Sequence, residues 1–130
     1  MTLPLWGLTV LSILALVHVS IDSFLLKLCA GNAWTAGPRD RVVERSMLAG
    51  RARRALVNFL ETAPVFISLA LVVELSGLQG PLIAGGLYVY LAGRALYLPA
   101  YLSGVPYLRT AIWLAATSGL AAMLAGILLA

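Results

Sequence analysis

The sequence predicts an all-α integral membrane protein, a bundle of four transmembrane helices forming a single domain over residues 1–130. Of its 130 residues, 62% are hydrophobic and only 11% are charged, whereas a soluble domain has about 45–50% apolar and about 25% charged residues. The mean hydropathy is +0.98. Four apolar runs each reach the roughly 20 helical residues needed to cross the hydrocarbon core. So little charge could not cover a soluble surface.

The first apolar run, residues 3–28, predicts the first span. No basic residue precedes it, which favours a retained helix over a cleaved signal peptide. His18 and Asp22 are four residues apart and can lie on one helix face. They could hydrogen-bond each other, or Asp22 could meet an arginine from the next helix. Cys29 is the single cysteine, so no intramolecular disulfide can form.

The connection between the first two spans, residues 31–49, is polar and carries much of the charge. Seven of the nine basic residues lie between Lys27 and Arg54. Basic residues accumulate in cytoplasmic loops, so this connection is expected on the cytoplasmic side and both termini on the opposite side. The net charge of +4 is thereby explained by membrane topology, and no nucleic-acid partner is expected.

The second span, residues 50–75, begins with an unusual polar stripe. Arg51, Arg54, Asn58 and Glu61 are spaced three, four and three residues apart, which places them on one face of a helix. Charged side chains inside a membrane are costly and usually face a partner, a cavity or a substrate. Pro64 removes a backbone donor, so a kink is expected there.

The third span, residues 82–102, carries a second polar face. Tyr90, Arg94, Tyr97 and Tyr101 follow one another at helical spacing. In an antiparallel pair of helices, Arg94 reaches a depth similar to that of Glu61. The sequence therefore predicts an ion pair between Arg94 and Glu61.

The fourth span, residues 107–129, starts with Arg109 and Thr110 and is then rich in small residues, which allow close approach of helices. Arg109 has no evident acidic partner in the sequence. An anionic ligand or a thiol near Arg109 would be a suitable partner, because a nearby cation lowers the pKa of a thiol.

Two interpretations of this polar set remain open from the residues alone. One is a structural network of ion pairs with arginines that reach toward the interface. The other is an anion site, because guanidinium groups bind carboxylates bidentately. Four helices alone shield few buried polar groups from lipid, so association between subunits is expected.

The stretch RARRALVNFLETAPVF, residues 51–66, resembles the second-helix signature of the MAPEG family (membrane-associated proteins in eicosanoid and glutathione metabolism). The stretch GRALYLPAYLSGVPYLRT, residues 93–110, resembles the third helix, the turn and the start of the fourth helix of that family. With the four-span layout, the resemblance covers essentially the whole chain, and the compact chain is similar to bacterial members. The RxxRxxxNxxE core of the signature stands here as Arg51, Arg54, Asn58 and Glu61.

The resemblance implies a homotrimer that binds glutathione as a cosubstrate between neighbouring subunits. It implies glutathione S-transferase or peroxidase chemistry on a lipophilic small-molecule acceptor that enters from membrane lipid, in a bacterial inner membrane. Arg109 would stabilise the glutathione thiolate and is the expected catalytic residue. The residues expected to bind glutathione are Arg51, Arg54, Asn58, Glu61, Arg94, Tyr97 and Tyr101.

Some positions depart from the family pattern. Val57 and Thr62 stand where some members carry a basic residue and an aromatic residue, and Tyr97 stands where one branch carries histidine. Two alternatives to a glutathione-dependent enzyme remain. One is a small proton-coupled multidrug-type transporter that uses Glu61, and the other is a catalytically silent protein that keeps the fold.

Overall fold

The computed structural model of the protein describes all 130 residues, Met1–Ala130, and contains no strand. Four of its five helices are long and apolar enough to cross a membrane, so the predicted all-α fold class is confirmed. The helices are α1 (Leu3–Ala30), α2 (Asn32–Ala36), α3 (Met47–Ser76), α4 (Pro81–Ser103) and α5 (Leu108–Leu128).

The largest difference from the sequence-based spans is at the start of α3, which begins at Met47 rather than residue 50. Ser46 is the N-cap, and its hydroxyl accepts a hydrogen bond from the backbone N–H of Ala49 at 3.2 Å. Such a cap satisfies one of the free donors of the first turn. The short helix α2 also interrupts the connection that the sequence left without structure.

The long helices run antiparallel, and the charges collect at one end of the bundle. We call this the arginine end; it contains the C-termini of α1 and α4 and the N-termini of α3 and α5. At the opposite end, the hydroxyl of Thr2 before α1 donates a hydrogen bond to the carboxylate of Glu74 near the end of α3. Helix α5 packs against α4 and α3 and is not in contact with α1.

Helices α4 and α5 approach closely because glycines lie where they cross. A Cβ atom added at Gly119 would lie 2.8 Å from the backbone nitrogen of Tyr90, and one added at Gly93 would lie 2.7 Å from the Cβ of Ala116. The expectation that small residues of the fourth span permit close packing is therefore confirmed on this face. The approach fixes Arg109, at the start of α5, beside the C-terminal half of α4.

Aromatic rings fill the core between α1, α3 and α4. The ring of Phe66 stacks on that of Tyr90 with centroids 4.8 Å apart, and His18 stacks on Phe59 at 4.5 Å. The Nδ1 of His18 hydrogen-bonds the carbonyl oxygen of Leu14 at 2.8 Å. His18 thus does not pair with Asp22: its Nδ1 bonds the carbonyl one turn earlier in its own helix, and its Nε2 has no hydrogen-bond partner.

Asp22 instead links α1 to arginines of the connection and of α3. The alternative prediction, that Asp22 meets an arginine from the next helix, is confirmed. Arg45 donates to its carboxylate at 2.6 Å, and Arg53 lies 3.7 Å from the other carboxylate oxygen. These are the two ion pairs of the chain; Arg45 is held close to Asp22, whereas the Arg53 side chain stays half-exposed.

Candidate functional site

The hydroxyl of Tyr101 is the meeting point of two arginines from different helices. The Nε of Arg54 in α3 donates to it at 3.2 Å, and the Nη1 of Arg109 in α5 donates to it at 2.9 Å. The guanidinium carbons also lie over the tyrosine ring, 5.9 and 4.9 Å from its centroid. Because the oxygen accepts both bonds, the hydroxyl hydrogen of Tyr101 remains available to a third group.

Arg109 is exposed and has no carboxylate within 4.0 Å. It lines three neighbouring clefts at the arginine end. The turn cleft, of 460 Å³, lies against the connection between α4 and α5 and includes Arg51, Arg54 and Tyr101. The helix cleft, of 250 Å³, includes Arg54, Asn58, Glu61, Tyr97 and Tyr101. The tryptophan cleft, of 200 Å³, is lined by Asn58, Tyr97, Arg109, Thr110 and Trp113.

The predicted ion pair between Arg94 and Glu61 is wrong. Arg94 is fully buried, with 0% of its surface exposed, and its guanidinium donates to Asn58 Oδ1 at 2.8 Å and to the hydroxyl of Thr62. The guanidinium carbon also lies 5.5 and 5.3 Å from the ring centroids of Tyr90 and Tyr97. Arg94 therefore lines none of the three clefts and supports the site from behind.

Asn58 connects this buried arginine to the exposed glutamate. Its Oδ1 accepts from Arg94, so its amide nitrogen points the other way and donates to Glu61 Oε2 at 3.5 Å. This is the orientation in which both sides of the amide are satisfied. Glu61 is exposed in the helix cleft and pairs with no cation within 4.0 Å.

The family model described as the MAPEG family matches residues 2–129 of the chain. This chain belongs to the MAPEG family. Comparison with curated proteins and with solved structures finds no match. The MAPEG family includes glutathione-dependent transferases and peroxidases and also inactive members.

In this MAPEG protein Arg51 points at the turn between α4 and α5. Its Nη1 donates to the carbonyl oxygen of Leu102 at 3.2 Å, and its Nη2 lies 3.5 Å from the sulfur of Met47. The guanidinium also packs against Gly104. Of the three clefts, Arg51 lines only the turn cleft.

Two residues that sequence reasoning did not place in the site are Thr62 and Trp113. Thr62 accepts from Arg94 and lies 3.0 Å from the hydroxyl of Tyr90. Trp113 lines the tryptophan cleft, and its buried Nε1 has no hydrogen-bond partner. The position of Trp113 one turn after Arg109 could have indicated that it lines the site, because residues four apart share a helix face.

The chain has no group of three or more His, Cys, Asp or Glu side chains arranged to hold a metal ion. A cavity of 440 Å³ lies at the opposite end of the bundle, and Glu74 is its one charged residue. The arginines and tyrosines of the three clefts are therefore the main cluster of polar side chains suited to bind a ligand.

Proposed function

We propose that this protein is a membrane-bound, glutathione-dependent enzyme, a glutathione S-transferase or peroxidase that acts on lipophilic electrophiles. The observation that carries the proposal is the convergence of Arg54 and Arg109 on Tyr101 without any acidic partner. Two guanidinium groups held 2.9 and 3.2 Å from one hydroxyl oxygen, beside open clefts, favour an anionic ligand that supplies the missing negative charge.

The charges of the clefts suit glutathione, which has two carboxylates, one ammonium group and one thiol. Arg54 offers a guanidinium fork for a carboxylate, and Glu61 offers the one carboxylate that an ammonium group needs. Arg94, which lines no cleft, would hold Asn58 in place for the ligand. Tyr97 and Tyr101 would complete the wall from α4.

Arg109 is the residue proposed to act on the sulfur. Glutathione would supply the nucleophile, and a cation beside a thiol favours its thiolate form. The hydroxyl of Tyr101, whose hydrogen is free, would donate to the same region. In the transferase reaction the thiol loses its proton and its sulfur forms a bond to carbon, while the electrophile either releases a leaving group or, at an activated double bond, takes up the proton. In the peroxidase reaction two glutathione molecules and one hydroperoxide give the disulfide, an alcohol and water.

The acceptor is proposed to enter from membrane lipid. The tryptophan cleft lies at the start of α5 and joins Arg109 to the apolar ring of Trp113. Lipophilic acceptors concentrate in the bilayer by partitioning, since burial of apolar surface is favourable. The acceptor therefore needs a short apolar wall beside the sulfur rather than a deep pocket of its own.

The assembly we propose is a homotrimer in the bacterial inner membrane, with the arginine end on the cytoplasmic side. The clefts at that end are open in one subunit, which supports a site completed by a neighbouring copy.

The test is glutathione conjugation and hydroperoxide reduction by the purified protein in lipid, compared with Arg109→Ala. Loss of a donor that stabilises developing or full negative charge lowers kcat by about 100-fold or more, and that is the loss expected here. Arg41→Ala is the matched control, because Arg41 is an exposed arginine of the connection outside the three clefts.

Two results would overturn the proposal. If the wild type binds glutathione but turns over neither class of acceptor, the catalytically silent alternative holds. If Arg109→Ala retains full activity, the sulfur is not activated by this arginine.

A further inference from the structure

The guanidinium of Arg51 packs against Gly104 in the turn between α4 and α5. A Cβ added at Gly104 would lie 2.5 Å from the Cζ, 2.5 Å from the Nη1 and 2.6 Å from the Nη2 of Arg51. Gly104 also has φ +70, a left-handed conformation that favours glycine. A side chain at this position would therefore take up a strained backbone conformation and would displace the guanidinium of Arg51.

The same guanidinium closes the C-terminus of α4. The last carbonyls of a helix lack partners within the helix, and Arg51 donates to one of them, that of Leu102, at 3.2 Å. A cation at this end also interacts favourably with the helix dipole. Helix α4 has no basic residue in its own last turn, so Arg51 of α3 supplies the missing charge.

A short and constrained path leads from this contact to Arg109. Gly104 is the C-cap of α4, and Tyr107, with φ +62, is the N-cap of α5. Arg109 follows two residues later, in the first turn of α5. A backbone held at both caps leaves little freedom to the first turn, so the place where Arg51 holds the turn influences the direction of the Arg109 side chain.

We propose that Arg51 is a positioning residue: by packing on Gly104 and binding the carbonyl of Leu102, it sets the turn that aims Arg109. The inference rests on the proposed glutathione-dependent function and assigns Arg51 a different task from the ligand contact expected from the sequence. Arg54, whose Nε reaches the Tyr101 hydroxyl beside Arg109, remains on the ligand side.

The proposal requires a planar guanidinium at residue 51. A flat group can lie on the exposed Cα of Gly104 and still direct one N–H at a carbonyl, whereas the ammonium of lysine is a compact and strongly hydrated point charge. Arg51→Lys is therefore expected to behave as a partial loss rather than as a conservative exchange.

The first experiment measures the contact itself and needs no ligand. Thermal midpoints are compared for Arg51→Ala, Gly104→Ala and the double variant in a double-mutant cycle. Gly104→Ala is expected to lower the midpoint of the wild type more than that of Arg51→Ala, because removal of the guanidinium leaves only the backbone strain at φ +70. Equal shifts in the two backgrounds would overturn the proposal.

The second experiment separates positioning from ligand contact. For Arg51→Ala and Arg51→Lys, kcat, the dissociation constant of glutathione and the ultraviolet absorbance of the bound thiolate are measured. Misplacement of a group that acts in the reaction lowers kcat by on the order of 10–100-fold, with the dissociation constant unchanged and the thiolate signal reduced. Arg41→Ala, in the polar connection before α3 and outside the three clefts, is the control expected to change none of these.

The possible outcomes are distinct. If the dissociation constant rises while kcat and the thiolate signal at saturation stay as in the wild type, Arg51 contacts the ligand and the proposal is overturned. If the wild type binds no glutathione, the proposed function fails, and the midpoint cycle still decides whether Arg51 holds the turn.

Discussion

At the scale of single residues, the stripe on α3 was predictable in content but not in its partners. Sequence spacing placed Arg94 and Glu61 at similar depths, and the arginine is indeed buried next to α3. A helix turns by about 100° per residue, however, so Asn58 and Thr62 share the face toward α4 while Glu61 is rotated away from it. Arg94 accordingly bonds Asn58 and Thr62. Depth follows from counting along the chain, whereas rotation depends on how the helices pack.

Thr62→Val is expected to destabilise the protein while keeping the shape of the side chain. It removes the oxygen that accepts from buried Arg94 and pairs with Tyr90, and a buried donor left without a partner costs about 1–3 kcal/mol. The thermal midpoint of the purified protein measures the loss. Thr62→Ser keeps the oxygen and should stay close to the wild type; if valine is as stable as serine, the hydrogen bonds at this site do not contribute to stability.

At the scale of helices, hydropathy and length were enough to find the four spans, and the ends differ from the structure by at most three residues. The exception at the start of α3 has a local cause, because the Ser46 cap lets the helix begin in the polar connection. The convergence of Arg54 and Arg109 on one tyrosine was harder to predict from the sequence. It depends on how α4 and α5 cross. The small residues of the fourth span indicate a close crossing, but they do not determine which residues of the two helices face each other.

The crossing of α4 and α5 predicts opposite outcomes for two neighbouring glycines. A methyl group at Gly86 would lie 2.8 Å from the backbone nitrogen of Met123, whereas nothing lies within 4 Å of a methyl group at Gly85. Overpacking a closely packed contact costs about 1–3 kcal/mol, so Gly86→Ala should lower the thermal midpoint. Gly85→Ala is the control and should leave it unchanged or raise it. Similar shifts for both variants would contradict the close approach.

At the scale of the whole molecule, the charges divide the bundle into two unlike ends. Arginines surround the three clefts at one end, and Glu74 is the one charged residue lining the cavity at the other. In the proposed function, the clefts at the arginine end would accept an anion from water and an apolar acceptor from lipid. This arrangement is what the proposed joining of a polar thiol to a lipophilic molecule at the membrane surface requires.

The orientation of the bundle can be tested with single cysteines in a Cys29→Ser background. Ala36→Cys lies in the connection at the arginine end, and Ala130→Cys marks the C-terminus. By the positive-inside rule, a membrane-impermeant maleimide should label Ala130→Cys in intact cells and should label Ala36→Cys only after the membrane is permeabilised. The reverse pattern would place the arginine end, and the proposed glutathione site, on the outer side.

The most direct test of the central claim is equilibrium binding of glutathione to the purified wild-type protein in lipid, followed by the thermal midpoint. A ligand that binds the native state stabilises it by RT ln(1 + [L]/Kd), so the midpoint should rise with glutathione concentration. The rise should be smaller for Arg54→Ala and unchanged for Arg41→Ala. A wild-type midpoint that does not respond to glutathione would contradict the account of the arginine end as a glutathione site.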